Sequence, residues 1–128
     1  MSTDLTMLVW SVVLTLVQML IAVNGATLKL GLPTLAGNRE DFKDCDGWVG
    51  RAQRTHRNML ENLPLFAALV LVAAVAGKAD ETTALGSQIF FWARVVHTVV
   101  YIAGISYLRT ATWAVSMAGL VMILTRLI

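Results

Sequence analysis

From Leu5 to Leu28 no charged side chain interrupts the chain; Lys29 is the first. A helix needs roughly 20 apolar residues to cross the hydrocarbon of a bilayer, so this stretch alone suffices for one span. Within a membrane every backbone N–H and C=O must be bonded inside the protein, which leaves helices or a closed barrel. Nothing in the chain alternates with the period of a strand, and three further stretches repeat the helical pattern. The expected spans are residues 5–30, 48–77, 82–105 and 110–128.

Composition agrees. Hydrophobic residues make up 57% of the 128 residues and charged ones 14%, against about a quarter charged in soluble domains. A chain this short has no single core large enough to hide so much apolar surface. The reading is an integral, multi-pass membrane protein forming one domain, residues 1–128. The N-terminal "MSTD" has no basic region and the first apolar stretch outruns a signal-peptide core, so an uncleaved first span is expected.

Other classes fall away. A formal net charge of +2, with no basic stripe interleaved with aromatics, speaks against nucleic acid. The single cysteine, Cys45, forms no internal disulfide and supports no cysteine-based metal site. His56 and His97 are too far apart to change that, and no metal is expected.

The long polar connection "GLPTLAGNREDFKDCDG" covers residues 31–47; the others, around "KADET" and "SYLR", are short. Short connections favour antiparallel neighbours, so the expected fold is an all-α, up-down four-helix bundle. Lys29, Arg39, Lys43, Arg51, Arg54, Arg57 and Arg109 gather on the side of the first and third connections, while Lys78 and Arg126 lie opposite. By the positive-inside rule those two connections are cytoplasmic and both termini lie on the outer side. Gly104 and Gly119, with Ala103, Ala114 and Ala118, suit close helix packing. Pro64 removes one backbone bond from the second span.

The charges near the spans carry the functional reading. Positions 51, 54, 58 and 61 are three and four apart, which puts Arg51, Arg54, Asn58 and Glu61 on one helix face. Arg57 and His56 flank them. Arg94, His97 and Tyr101 repeat the spacing inside the third span, and Arg109 opens the fourth. Charges at bilayer depth are costly and pair with one another or with a ligand. A pair such as Glu61 with Arg94 would satisfy two of them, but the arginines outnumber this one carboxylate. An excess of guanidinium around a semi-buried pocket suits a small polyanion, because arginine forks match carboxylates.

At these residues a resemblance emerges. "RAQRTHRNMLENLP" resembles the Arg-x-x-Arg-x-His-x-Asn-x-x-Glu-x-x-Pro signature of the MAPEG family, the membrane-associated proteins in eicosanoid and glutathione metabolism. "ARVVHTVVYIAG" is similar to the family's third-helix motif, Arg-x-x-His-x-x-x-Tyr. With the four-span layout, the resemblance covers essentially the whole chain. It implies a homotrimer of four-helix bundles with glutathione between adjacent subunits near the cytoplasmic face. Arg54, Arg57, Asn58 and Glu61 would then hold the glutathione peptide, with Arg51 peripheral, and Arg94, His97 and Tyr101 would contribute from the third helix. Arg109 matches the arginine that stabilises the glutathione thiolate in catalytic members. Thr110 stands where some members carry a thiol-bonding serine, and Trp113 where some carry tyrosine. Asp41 resembles a first-loop aspartate discussed as a proton-transfer partner in the prostaglandin E synthase branch.

Three departures accompany the match. The first helix offers only Lys29 where the family's enzymes often have an arginine. Arg109 aligns after a shift of one residue, and Trp113 has no hydroxyl to donate.

The resemblance implies a glutathione-dependent enzyme that conjugates hydrophobic electrophiles or reduces lipid hydroperoxides drawn from the bilayer. A non-catalytic lipid-binding or partner-activating protein of the same family is the alternative, and absence of glutathione binding would mark it. A small transporter with Arg94, His97 and Glu61 as a relay is a third reading, which the arginine excess disfavours.

Overall fold

The computed structural model describes residues 1–31 and 45–128; Asp41, Arg39, Lys43 and most of the first connection lie outside them. The described residues form helices α1 (Thr3–Leu30), α2 (Gly47–Val75), α3 (Glu81–Ala103) and α4 (Ser106–Thr125). All four are long and apolar enough to cross a membrane. The expected all-α four-helix architecture is the observed one. Helices α1 and α2 pack together, α3 packs on each of the other three, and α4 reaches α2 over a shorter stretch. The backbones of α1 and α4 do not approach each other.

The packing of α1 inverts the soluble pattern. Its buried residues include Asp4, Ser11, Thr15, Gln18, Ala22, Gly25 and Ala26, whereas Val9, Trp10, Val12, Leu16, Val17, Leu20 and Val23 are exposed. Asp4, Ser11, Gln18 and Gly25 recur every seventh residue, the repeat of a seam between nearly parallel helices. Lipid is as apolar as leucine, so little drives apolar side chains inward, and small and polar groups take the interfaces. The buried hydroxyls satisfy themselves locally: Ser11 donates to the Met7 carbonyl and Thr15 to that of Ser11, each at 2.8 Å.

The apolar core sits toward the end where α2 runs into α3. Met59, Phe66, Val70, Phe90, Leu120 and Ile123 form it, with Phe66 stacked on Phe90 at 4.1 Å between ring centroids. Helices α3 and α4 touch backbone to backbone at Gly86 and Gly119. A Cβ on Gly86 would lie 2.7 Å from the Gly119 carbonyl oxygen, and one on Gly119 would lie 2.6 Å from that of Gly86.

Two expectations change. Gly104 faces the Arg51 side chain of α2 and not a helix backbone, and it ends α3 in the left-handed region, at φ 86 and ψ 26. That conformation is open to glycine without strain. Ala103, Ala114 and Ala118 are exposed. The turn at Gly104–Ile105 is also so tight that "SYLR" belongs to the first turn of α4, which begins four residues earlier than expected.

Each end of the bundle is tied. At one, Lys29 Nζ donates to the Asp46 carbonyl at 2.9 Å, joining the ends of α1 and α2. Arg51 Nε donates to the Ile102 carbonyl at 2.8 Å, joining α2 to the last turn of α3. At the other, Asp80 caps α3 through a reciprocal bond with Thr83 and pairs with Arg126 Nε at 2.7 Å.

Candidate functional site

The polar half of α2, the last turns of α3 and the first turns of α4 converge on one cavity. Asn58, His97, Tyr101, Arg109, Thr110 and Trp113 line its volume of about 240 Å³. Helical spacing brings the three elements into register: His97 and Tyr101 are one turn apart on α3, and Arg109, Thr110 and Trp113 share a side of α4.

The orientation of the Asn58 amide is fixed by its partners. Arg94 Nη2 donates to its Oδ1 at 2.6 Å, and Asn62 Nδ2 approaches the same oxygen at 3.2 Å. Arginine has only donors, so the atom facing it is the amide oxygen. The Asn58 NH2 is thereby left as the group offered to the cavity. Asn62 also donates to the Asn58 backbone carbonyl at 2.7 Å, which ties the two asparagines together along α2.

Arg94 lies behind the cavity and not in its wall. It is 0% exposed, and its Nε and Nη1 have no hydrogen-bond partner among the described residues. The expected pairing with Glu61 does not occur within the chain, since Glu61 is exposed and Arg94 bonds the neutral Asn58. A guanidinium without a carboxylate leaves positive potential at this depth, screened little in the low-dielectric interior.

Two further sources add to that potential. The Arg109 guanidinium lies 4.7 Å from the centroid of the Tyr101 ring, over its face, a cation–π arrangement that holds the cation beside the cavity. Arg109 is also in the first turns of α4, whose N-terminus carries the positive end of the helix dipole. His97 is buried, meets Tyr101 edge-on at 5.4 Å, and has no bonded partner at Nδ1 among the described residues. The wall therefore presents an amide donor, an imidazole, a hydroxyl from Thr110 and a guanidinium, with the Trp113 and Tyr101 rings as apolar flanks.

The remaining expected residues are elsewhere. Arg51 is engaged with the Ile102 carbonyl, where a basic side chain complements the C-terminus of α3. Arg54, Arg57 and Glu61 are exposed on the outer surface of α2 beside the cavity. Lys29 is engaged with Asp46. Asp41 lies outside the described residues.

Three site-supporting residues escape a reading by motif: Asn62, Thr98 and Gln18, all buried. Asn62 had a signal, because it stands four residues after Asn58. Gln18 was visible only as a polar interruption of the first span. Its partner, Thr98, is 80 residues away in sequence.

Four membrane-length helices with a donor-lined cavity at one end define an integral, multi-pass membrane protein. The profile of the MAPEG family matches residues 7–128. The chain belongs to the MAPEG family. No curated protein matched the chain in a sequence search.

Proposed function

We propose that the cavity binds the thiol tripeptide glutathione and activates its sulfur for attack on a hydrophobic electrophile or a lipid hydroperoxide. This makes the protein a glutathione-dependent transferase or peroxidase of the microsomal glutathione transferase or prostaglandin E synthase type. The observation that carries the reading is the convergence of Asn58, His97, Tyr101, Arg109, Thr110 and Trp113 on one cavity. All six stand at positions to which the family resemblance gives a role, and they come from three helices.

The chemistry follows from the wall. A free thiol has a pKa near 8.5, and a guanidinium beside it favours the thiolate, the nucleophilic form. Arg109 takes that role, and the Thr110 hydroxyl, which donates over a long 3.4 Å to the Ser106 carbonyl, would turn from it to bond the sulfur. In conjugation the thiolate pair forms a carbon–sulfur bond as the electrophile's leaving group departs or its epoxide oxygen takes a proton. In peroxide reduction the thiolate attacks the peroxide oxygen, releasing the alcohol, and a second thiol converts the sulfenic acid to a disulfide and water.

Assembly as a homotrimer completes the reading. Arg54 and Glu61 stand exposed beside the cavity on a helix that spans the membrane, where charge facing lipid is costly. A second copy covering this face would enclose them with the ligand. By the positive-inside rule the cavity end, where α3 meets α4, faces the cytoplasm.

The test is turnover of purified protein with glutathione and a model electrophile or hydroperoxide. Arg109→Ala should lose most activity while glutathione still binds by calorimetry. Unchanged turnover would remove Arg109 from the mechanism, and no glutathione binding by the unmodified protein would favour the non-catalytic reading.

A further inference from the structure

Helix α1 contributes no side chain to the wall of the cavity, yet it holds one end of a bonded chain that terminates there. Gln18 Nε2 donates to Thr98 Oγ1 at 2.6 Å. Thr98 Oγ1 in turn donates to the Arg94 backbone carbonyl at 2.8 Å. The Arg94 side chain donates to Asn58 Oδ1 at 2.6 Å, and the Asn58 amide NH2 is offered to the cavity. Donation therefore runs one way, from α1 through α3 to α2.

The direction is fixed by valence. The Thr98 hydroxyl has one hydrogen, and that hydrogen is committed to the Arg94 carbonyl, so Thr98 meets Gln18 with lone pairs alone. Gln18 must then present its NH2. Gln18 is 1% exposed, Thr98 7% and Arg94 0%, so water does not substitute for any member. The Gln18 Oε1 is unpartnered among the described residues, as are Arg94 Nε and Nη1. A buried amide with one unmade bond is an expensive way to glue two helices, where leucine or alanine would pack as well. Its place in the bonded chain fits a part in orienting Arg94.

We infer that Gln18 is a positioning residue of the site: through Thr98 it sets the level of Arg94 on α3, and so holds the Asn58 amide with its donor toward the ligand. The inference rests on the reading of the cavity as a glutathione site for its affinity readout, but not for its spectroscopic one.

The experiment compares Thr98→Ser, Thr98→Val, Gln18→Leu and the Thr98→Val/Gln18→Leu double variant in detergent. Thr98→Val keeps the volume and removes the hydroxyl; Thr98→Ser keeps the hydroxyl. Glutathione Kd should weaken about tenfold in Thr98→Val and in Gln18→Leu, remain near the unmodified value in Thr98→Ser, and weaken no further in the double variant. The same substitutions in an Asn58→Ala background should leave Kd unchanged. Independently of any ligand, the side-chain amide resonance of isotope-labelled Asn58 should shift in Thr98→Val and be restored in Thr98→Ser. Loss of melting temperature with unaltered Kd and an unshifted Asn58 amide would reduce Gln18 to a packing residue and overturn the inference. If the unmodified protein binds no glutathione, the proposed function fails while the Asn58 resonance still decides the positioning claim: a shift supports it and no shift overturns it.

Discussion

The Arg94 guanidinium lies 2.6 Å from Asn58 Oδ1, and this one bond both joins α3 to α2 and decides which end of the Asn58 amide faces the cavity. Two substitutions at Asn58 should therefore separate stability from binding. Asn58→Ala deprives a fully buried guanidinium of its bonded partner, a loss worth roughly 1.5–3 kcal/mol for a bond to a charged group. Thermal unfolding in detergent should register it. Asn58→Asp keeps an acceptor for Arg94 and adds a counter-charge, so its melting temperature should equal or exceed that of the unmodified protein. It also replaces the cavity's NH2 donor with a carboxylate oxygen, and glutathione affinity should fall by at least about tenfold. An Asn58→Asp protein that binds glutathione normally would show that the amide donor plays no part.

The contact between Gly86 and Gly119 makes a sharper packing prediction. A methyl on either would stand under 3 Å from a carbonyl oxygen of the facing helix, and a backbone does not swing aside as a side chain does. Gly86→Ala and Gly119→Ala should each destabilise by about 1–3 kcal/mol, read as a fall in melting temperature. Gly77, with open space around the position of a Cβ, is a poor control because its φ is +68. Ala118→Leu, on the exposed side of α4, serves better and should change little.

Much of this arrangement was legible in the sequence, and the boundary of legibility is physical. Span number and placement follow from uninterrupted apolar runs, which have no other stable solution in lipid. Asn58, His97 and Tyr101 were readable because spacings of three and four put residues on one helix face whatever the tertiary fold. The partner chosen by Arg94 was not readable: Glu61 and Asn58 are both within one turn of the right level on α2, and only the rotation of that helix in the bundle selects Asn58. The Gln18–Thr98 bond depends on two helices meeting at one depth, which local periodicity does not encode. Gly104 and Gly86 show the same limit, since glycine serves a left-handed turn and a close crossing equally well. Beside Ala103 the first reads as a packing glycine, and nothing local marks the second.

At the far end of the bundle, Asp80 gives a pH prediction. Its carboxyl is held below the ordinary value, first by the bond it accepts from the Thr83 N–H and then by the side-chain bond from Arg126. A depressed folded-state pKa contributes stability above the unfolded value of about 4, and that contribution is lost as pH falls through the folded value. The melting temperature of the unmodified protein should thus drop on acidification below about pH 4 by more than that of Asp80→Asn. Asparagine is the right comparison because it still caps a helix but does not titrate. Parallel pH profiles for the two proteins would contradict the assignment.

The last prediction concerns Tyr101, which lies under Arg109 and beside His97. Two roles are available to it: a ring face that holds the guanidinium near the sulfur, or a phenolic hydroxyl that bonds the ligand. Tyr101→Phe removes the hydroxyl and keeps the face; Tyr101→Leu removes both. A cation–π contact contributes about 0.5–2 kcal/mol depending on solvent exclusion. If placement of Arg109 is what matters, Tyr101→Phe should retain most glutathione-dependent turnover. Tyr101→Leu should lose roughly 3- to 30-fold, chiefly in kcat, because the thiolate would form less readily while the peptide contacts remain. Equal losses in both variants would instead assign the effect to the hydroxyl. A loss confined to KM would move Tyr101 from thiolate placement to ligand binding. Arg109→Lys provides the cross-check: it keeps the charge but not the flat guanidinium over the ring, so it should resemble Tyr101→Leu in turnover, and combining the two should cost little more than either alone.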